Sequence, residues 1–118
     1  MKEIMQRKIA EMRWRYNRIN QLMEGFSQSA NIIYKAQNNE NLPKAWKESQ
    51  MLGFLALNEF NEIQKCRDSL MDLIRKYAFL LSKQDQRDLL DQMNHVVKES
   101  SDSFTKFIAW MESIKEEA

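Results

Sequence analysis

The chain has 118 residues, of which 43% are hydrophobic and 30% charged, a balance typical of one folded domain and too apolar for intrinsic disorder. Its formal net charge of +1 indicates no strongly charged partner. Two glycines and one proline are too few turn-forming residues for a β-rich fold, so we predict an all-α protein.

The sequence also gives an expectation for the cellular compartment of the protein. Cys66 is the only cysteine, so no disulfide can form within the chain and nothing indicates an oxidising environment. The N-terminus lacks the apolar region of a signal peptide, and no stretch approaches the roughly 18 apolar residues of a membrane span. We therefore expect a cytoplasmic protein without a membrane span.

Two groups of turn-forming residues divide the chain. At residues 38–43 asparagines precede Pro43, which disfavours helix in the residue before it but fits the first turn of a new helix. At the second break Ser82 can cap a helix while Asp85, three residues later, reaches back. These breaks predict an antiparallel bundle of three long helices, at about residues 2–37, 43–81 and 83–116, in one domain spanning residues 1–118.

Within each segment, apolar residues recur at alternating steps of four and three, the heptad spacing of coiled coils and of helices crossing at shallow angles. The main seam positions are Met5, Ile9, Met12, Tyr16, Ile19, Met23, Phe26, Ala30 and Ile33; then Trp46, Ser49, Gly53, Ala56, Phe60, Ile63, Arg67, Leu70, Ile74, Tyr77 and Leu81; then Leu90, Met93, Val97, Ser100, Phe104, Phe107, Met111 and Ile114. Flanking residues such as Leu89, Val96, Ile108 and Trp110 widen the stripe, as in a globular bundle. The arrangement resembles spectrin-type bundles in architecture, and this resemblance carries no functional residues over.

Two alternatives satisfy the same pattern. Gly25 lies inside the first segment, where glycine costs about 1 kcal/mol relative to alanine, and residues 100–103 form a cluster of cap-like residues inside the third. Breaks there would give four or five shorter helices. A helical dimer would use the same heptads, and the sequence leaves these possibilities open.

Few residues suggest catalysis or metal binding. Asp91, His95 and Glu99 share one helix face, but that face lies opposite the apolar seam and is typical of a solvated surface. Cys66 has no catalytic signature around it and is interpreted as a packing residue. With no glycine-rich phosphate loop and no Cys/His cluster, we predict a protein that is not an enzyme and holds no cofactor or metal.

The first helix is the basic part of the chain. Residues 1–20 carry six basic and two acidic side chains, whereas the remaining 98 residues carry 12 basic and 15 acidic ones. Lys8, Arg13 and Arg15, with aromatic residues between them, could contact the phosphates of a nucleic acid. A solvated helix face is the favoured interpretation, and nucleic-acid binding is the alternative.

Off-seam apolar residues are better candidates for contacts. Tryptophan and arginine are enriched in interface hot spots, and contiguous exposed apolar patches mark contacts. The predicted partner-binding residues are Trp14, Arg7 and Arg18 in the first segment and Met51, Phe54 and Leu55 in the second. Folding the chain at the two breaks also brings Phe26, Phe54 and Met111 to one level.

From these residues we predict a non-enzymatic helical module for protein–protein interaction, such as a small adaptor, inhibitor or immunity-type protein. Its partner is another protein that the sequence does not identify, or a second copy of the chain in a homodimer.

Overall fold

The computed structural model describes the backbone of residues 1–35 and 42–117, and the side chains of residues 1–28, 44 and 46–112. It contains three long helices: α1 (Lys2–Lys35), α2 (Leu42–Lys76) and α3 (Lys83–Glu117). A 3₁₀ turn (Ala78–Leu80) lies between α2 and α3, and no strand occurs in the described backbone. The predicted all-α bundle of three long helices is confirmed. α1 and α3 continue through Gly25 and Ser100, so four or five shorter helices are not what the described chain forms.

The helices run up, down and up along a bundle of 63 × 17 × 16 Å. α1 and α2 are antiparallel: Arg15 reaches Glu59 at 3.0 Å, and Gly25 lies against Leu52 farther along. α1 and α3 are parallel, because Lys2 is 2.9 Å from Asp85 while the rings of Phe26 and Phe107 lie 4.6 Å apart at the opposite end.

One half of the bundle, which we call the aliphatic end, has a closed core of branched and flexible apolar residues. Such side chains interdigitate to the density of an organic crystal. Its buried members are Met5, Ile9, Met12, Ile19, Ile63, Cys66, Leu70, Ile74, Leu89, Met93 and Val96. These residues come from all three helices, so the core holds the bundle together here.

The other half, which we call the aromatic end, has a smaller core made of Phe26, Ala56 and Phe107. Phe60 and Phe104 stack beside it with ring centroids 4.9 Å apart and planes inclined by 4°. Half-buried residues complete this cluster: Leu22, Met23, Trp46, Leu52, Phe104 and Met111.

The predicted seam agrees with the observed burial in α1 and α2 and differs slightly in α3. Leu89 and Val96, predicted as flanking residues, are buried, whereas the predicted seam residues Leu90 and Val97 are only half-buried. The seam residues Met93, Ser100 and Phe107 are buried as predicted, so the buried stripe of α3 is wider than one seam and takes in the residues before Leu90 and Val97. The seam positions Ala30, Ile33 and Ile114 lie outside the described side chains.

The predicted end of the second helix at residue 81 is wrong, because α2 ends at Lys76. Tyr77 leaves helical geometry at φ −116° and ψ 21°, and the chain forms the 3₁₀ turn instead. The Gln86 side-chain amide stabilises this turn by donating to the carbonyl oxygen of Ala78 at 3.0 Å. As predicted, Ser82 caps α3, accepting a hydrogen bond from the Asp85 backbone N–H at 3.0 Å. The predicted turn at residues 38–41 and the helix end at residue 37 lie outside the described residues.

Candidate functional site

A groove of about 610 Å³ opens between α2 and α3 at the aromatic end. Gly53 forms its floor, and the absence of a side chain there lets α3 approach closely. A Cβ at this position would lie 2.8 Å from Met111 Sδ and 3.3 Å from Phe107 Cε1. The groove is lined mainly by apolar side chains: Trp46, Gln50, Gly53, Phe54, Leu57, Phe104, Phe107, Ile108, Met111 and Glu112.

The exposed apolar residues of α2 continue this groove onto the outer surface. Phe54 is 69% exposed and lines the groove, whereas Met51 (59%) and Leu55 (44%) lie farther round the helix. Leu57 and Ile108 remain exposed at the groove itself. A large apolar area is therefore presented to solvent, an arrangement that marks interaction sites more often than isolated exposed residues do.

The expected common level of Phe26, Phe54 and Met111 agrees with this arrangement. Phe26 packs against Phe107 inside the bundle, and Phe54 and Met111 line the groove that Phe107 also borders. Trp110, which the sequence places beside the seam, lies on the other side of α3. Its ring stacks on Phe26 with centroids 6.4 Å apart, and it remains 44% exposed.

Trp14 is 55% exposed and lies between two arginines of its own helix. The guanidinium carbons of Arg15 and Arg18 are 5.7 and 5.6 Å from the centroid of its ring, within the range of cation–π attraction. Arg7 is exposed seven residues earlier, on the same helix face. Because Arg15 lies opposite Glu59, Trp14 is roughly 13 Å from Met51 along the bundle axis, so the two groups of predicted contact residues form separate patches.

Arg15 and Arg18 of α1 already have partners within the bundle. Arg15 donates to Glu59 at 3.0 Å and to Glu11 at 3.2 Å, and Arg18 pairs with Glu59 at 3.3 Å. Burial alone would lower the pKa of Arg15, but hydrogen bonds and charge attraction from Glu59 and Glu11 outweigh burial and raise it. Arg15 Nε is buried without a hydrogen-bond partner. Arg15 therefore links α1 to α2 through Glu59, while it also pairs with Glu11 of its own helix.

The three residues that were predicted to bind nucleic acid lie in different surroundings within the bundle. Arg13 donates to Gln92 of α3 at 3.2 Å, Arg15 pairs with α2, and Lys8 is half-buried. An arginine that is already paired would lose those contacts on binding a phosphate. Nucleic-acid binding by Lys8, Arg13 and Arg15 stays a prediction, and this placement gives it no added support.

His95 and Cys66 occupy the kinds of positions that the sequence indicates. The His95 side chain is 70% exposed, with Nε2 3.0 Å from Glu99 Oε1, and Asp91 is exposed on the same helix. Cys66 is buried; burial chiefly, and the nearby Glu11 carboxylate in addition, raise the pKa of its thiol. A raised pKa opposes formation of the nucleophilic thiolate. Among the described residues, no group of three His, Cys, Asp or Glu side chains could hold a metal ion.

No family model, curated protein or solved structure matches this chain. Within the described part of the chain, none of the helices combines the length and apolar character needed to cross a membrane.

Proposed function

We propose that this chain is a non-enzymatic helical module for protein–protein interaction, a small adaptor, inhibitor or immunity-type protein acting in the cytoplasm. The observation that carries the proposal is the apolar surface formed by Met51, Phe54 and Leu55 together with the adjoining groove between α2 and α3. Exposed apolar area on this scale costs solubility unless another surface covers it.

The character of the groove supports a protein as the partner. Aromatic and methionine residues make up half of its lining, and these residue types are enriched in protein interfaces. Gln50 and Glu112 provide polar groups among the lining residues. A groove between two helices is suited to the apolar face of an amphipathic helix, whose side chains recur every three or four residues.

Affinity capture with two matched variants tests this function. Phe54→Asp places a charge on the proposed contact surface, whereas Phe79→Asp makes the same change at a residue that is 80% exposed in the 3₁₀ turn. We expect protein from the native host to be captured by the wild type and by Phe79→Asp, and to be lost with Phe54→Asp. Far-UV circular dichroism would verify that both variants remain helical.

Capture that is unaffected by Phe54→Asp would contradict the proposed surface. A wild-type protein that captures nothing from its host, and does not associate with itself, would contradict the proposed function.

A further inference from the structure

We propose that the outer face of α2 pairs with the same face of a second copy, the two helices antiparallel about a two-fold axis beside residue 53. The inference rests on the proposed function, since it treats the exposed surface of α2 as a protein contact. It adds the partner, the direction of pairing and the residues that oppose one another.

The first observation is a second heptad on α2, on the side away from the core. Its positions alternate at steps of four and three, the spacing that a helix needs to pack along another helix. Five of its six members are exposed residues. The sixth, Glu62, is half-buried as a whole residue, although 41% of its side chain is exposed. They are Lys44, Glu48, Met51, Leu55, Asn58 and Glu62.

The order of charges along this face favours antiparallel pairing. A two-fold axis beside residue 53 sets Lys44 opposite Glu62 of the second copy, nine residues from the axis on each side. Each of these pairs then joins opposite charges, and the axis generates the pair twice. A parallel pair would instead set Lys44 against Lys44 and Glu62 against Glu62, which is repulsive.

The apolar residues select the same register. With the axis beside residue 53, Met51 packs against Leu55 of the second copy, and Glu48 meets the Asn58 amide. In a shift by one heptad, Met51 would face the carboxylate of Glu48 or of Glu62, which would remove water from a charge without a counter-ion. Antiparallel pairing at this register is therefore the arrangement that satisfies both the charges and the apolar positions.

The apolar part of this face is small. A large apolar side chain offers about 200 Å², so Met51, Leu55 and the neighbouring Phe54 together expose roughly 350 Å². Leu57 and Ile108 line the groove on the α3 side of α2 and lie outside the pairing face. A standard interface buries about 800 Å² on each partner, so we expect a weak dimer in which the paired charges set the direction.

Reversal of the two charges tests the pairing. We expect the wild type to sediment as a concentration-dependent dimer. Lys44→Glu and Glu62→Lys should each raise the dimer dissociation constant about tenfold or more, because each change creates two like-charged pairs. The doubly reversed variant should dimerise like the wild type, and an equimolar mixture of the two single variants should form a heterodimer.

The control is Lys98→Glu, which makes the same charge change on an exposed part of α3 and should leave dimerisation unchanged. Both single variants should fold normally. The Lys44 substitution puts negative charge near the N-terminus of α2, where it is favourable. The Glu62 substitution replaces an exposed ion pair with Lys65 by two like charges, a small cost at an exposed helix surface.

A wild type that stays monomeric overturns the inference, and so does a doubly reversed variant or mixture that fails to restore the dimer. If the wild type is monomeric but Phe54→Asp still abolishes capture of a host protein, the dimer is wrong and the proposed function stands. If neither self-association nor capture occurs, both fail.

Discussion

The aliphatic and aromatic ends share one heptad spacing but differ in how α2 occupies it. Toward the aliphatic end, α2 contributes large residues, Ile63, Leu70 and Ile74, and the core closes around them. At the aromatic end it contributes Ser49, Gly53 and Ala56, all buried, and the volume is filled from α1 and α3 by Phe26 and Phe107.

This difference explains why the groove lies where it does. Small residues on α2 let the aromatic rings reach close to its backbone, but a few rings cannot also cover the flanks of that helix. Phe54 and Leu57 therefore remain exposed beside the groove. The aliphatic end has the larger closed core, whereas the aromatic end combines a small core with an exposed apolar surface.

The largest expected effect tests that division directly. Leu70→Ala should lower the free energy of unfolding by about 2–5 kcal/mol, because it leaves a cavity in the closed core. Phe54→Ala, which removes a larger side chain, should change the stability of the monomer by less than about 0.5 kcal/mol. Urea unfolding at low protein concentration measures both, and similar losses would show that the two ends do not differ in this way.

A smaller effect is expected where the two ends meet. Glu59, whose side chain is 15% exposed, accepts from both Arg15 and Arg18. Glu59→Ala should cost about 1–2 kcal/mol, because Arg15 would keep only Glu11 as a partner. Glu24→Ala, at an exposed position of α1, is the control. Equal unfolding midpoints for the two variants would show that the Arg15–Glu59 contact contributes nothing measurable.

The two glycines sharpen the account of the aromatic end. Gly25→Ala should stabilise the protein by up to about 1 kcal/mol, since its Cβ would meet Leu52 Cδ1 at an ordinary 3.5 Å. Gly53→Ala should gain less, because the flexible end of Met111 must move away from the new Cβ. Thermal unfolding compares them. An equal gain would mean that the close approach of α3 to Gly53 imposes no constraint.

The smallest effect concerns the tip of the aliphatic end. The hydrogen bond from Lys2 chiefly, and that with Ser82 in addition, lower the pKa of Asp85 from its ordinary value near 3.8, against an opposing effect of burial. Because the folded pKa is the lower one, the Asp85 contacts stabilise the protein above pH 3.8. That stabilisation is lost as the pH falls through the folded value.

Lys2→Met should therefore make the stability of the protein slightly less sensitive to pH below 4. Acid titration followed by circular dichroism would measure the change, with Lys98→Met as the control. If the acid unfolding curves of Lys2→Met and the wild type coincide, a role for this ion pair is contradicted.

The sequence predicted the fold well because the heptad spacing is a local signal. It recurs over residues 5–33, 46–81 and 90–114, and every described seam residue of α1 is buried or half-buried. The end of α2 was missed because Tyr77 and Leu81 continue the spacing, while no glycine or proline marks the stop. The 3₁₀ turn depends on Gln86, whose contact with Ala78 forms only after the chain reverses.

The candidate site was predictable only in part. Exposure of Met51, Phe54 and Leu55 follows from their off-seam positions. The groove depends on how far α2 and α3 separate, which side-chain volumes from three helices decide together. The role of Arg15 could not be predicted from the local sequence either, since its pairing with Glu59 joins residues 44 positions apart. Its sequence neighbours, including Arg13, suggested a basic surface, whereas the fold uses Arg15 to join two helices.

The position of Trp46 in the groove lining has a spectroscopic consequence. The chain has three tryptophans, and the other two, Trp14 and Trp110, lie on different faces of the bundle. Replacing those two with phenylalanine would leave Trp46 as a single intrinsic fluorophore in the lining. Its emission would then shift to shorter wavelength when a ligand excludes water from the groove, so binding could be followed without a label.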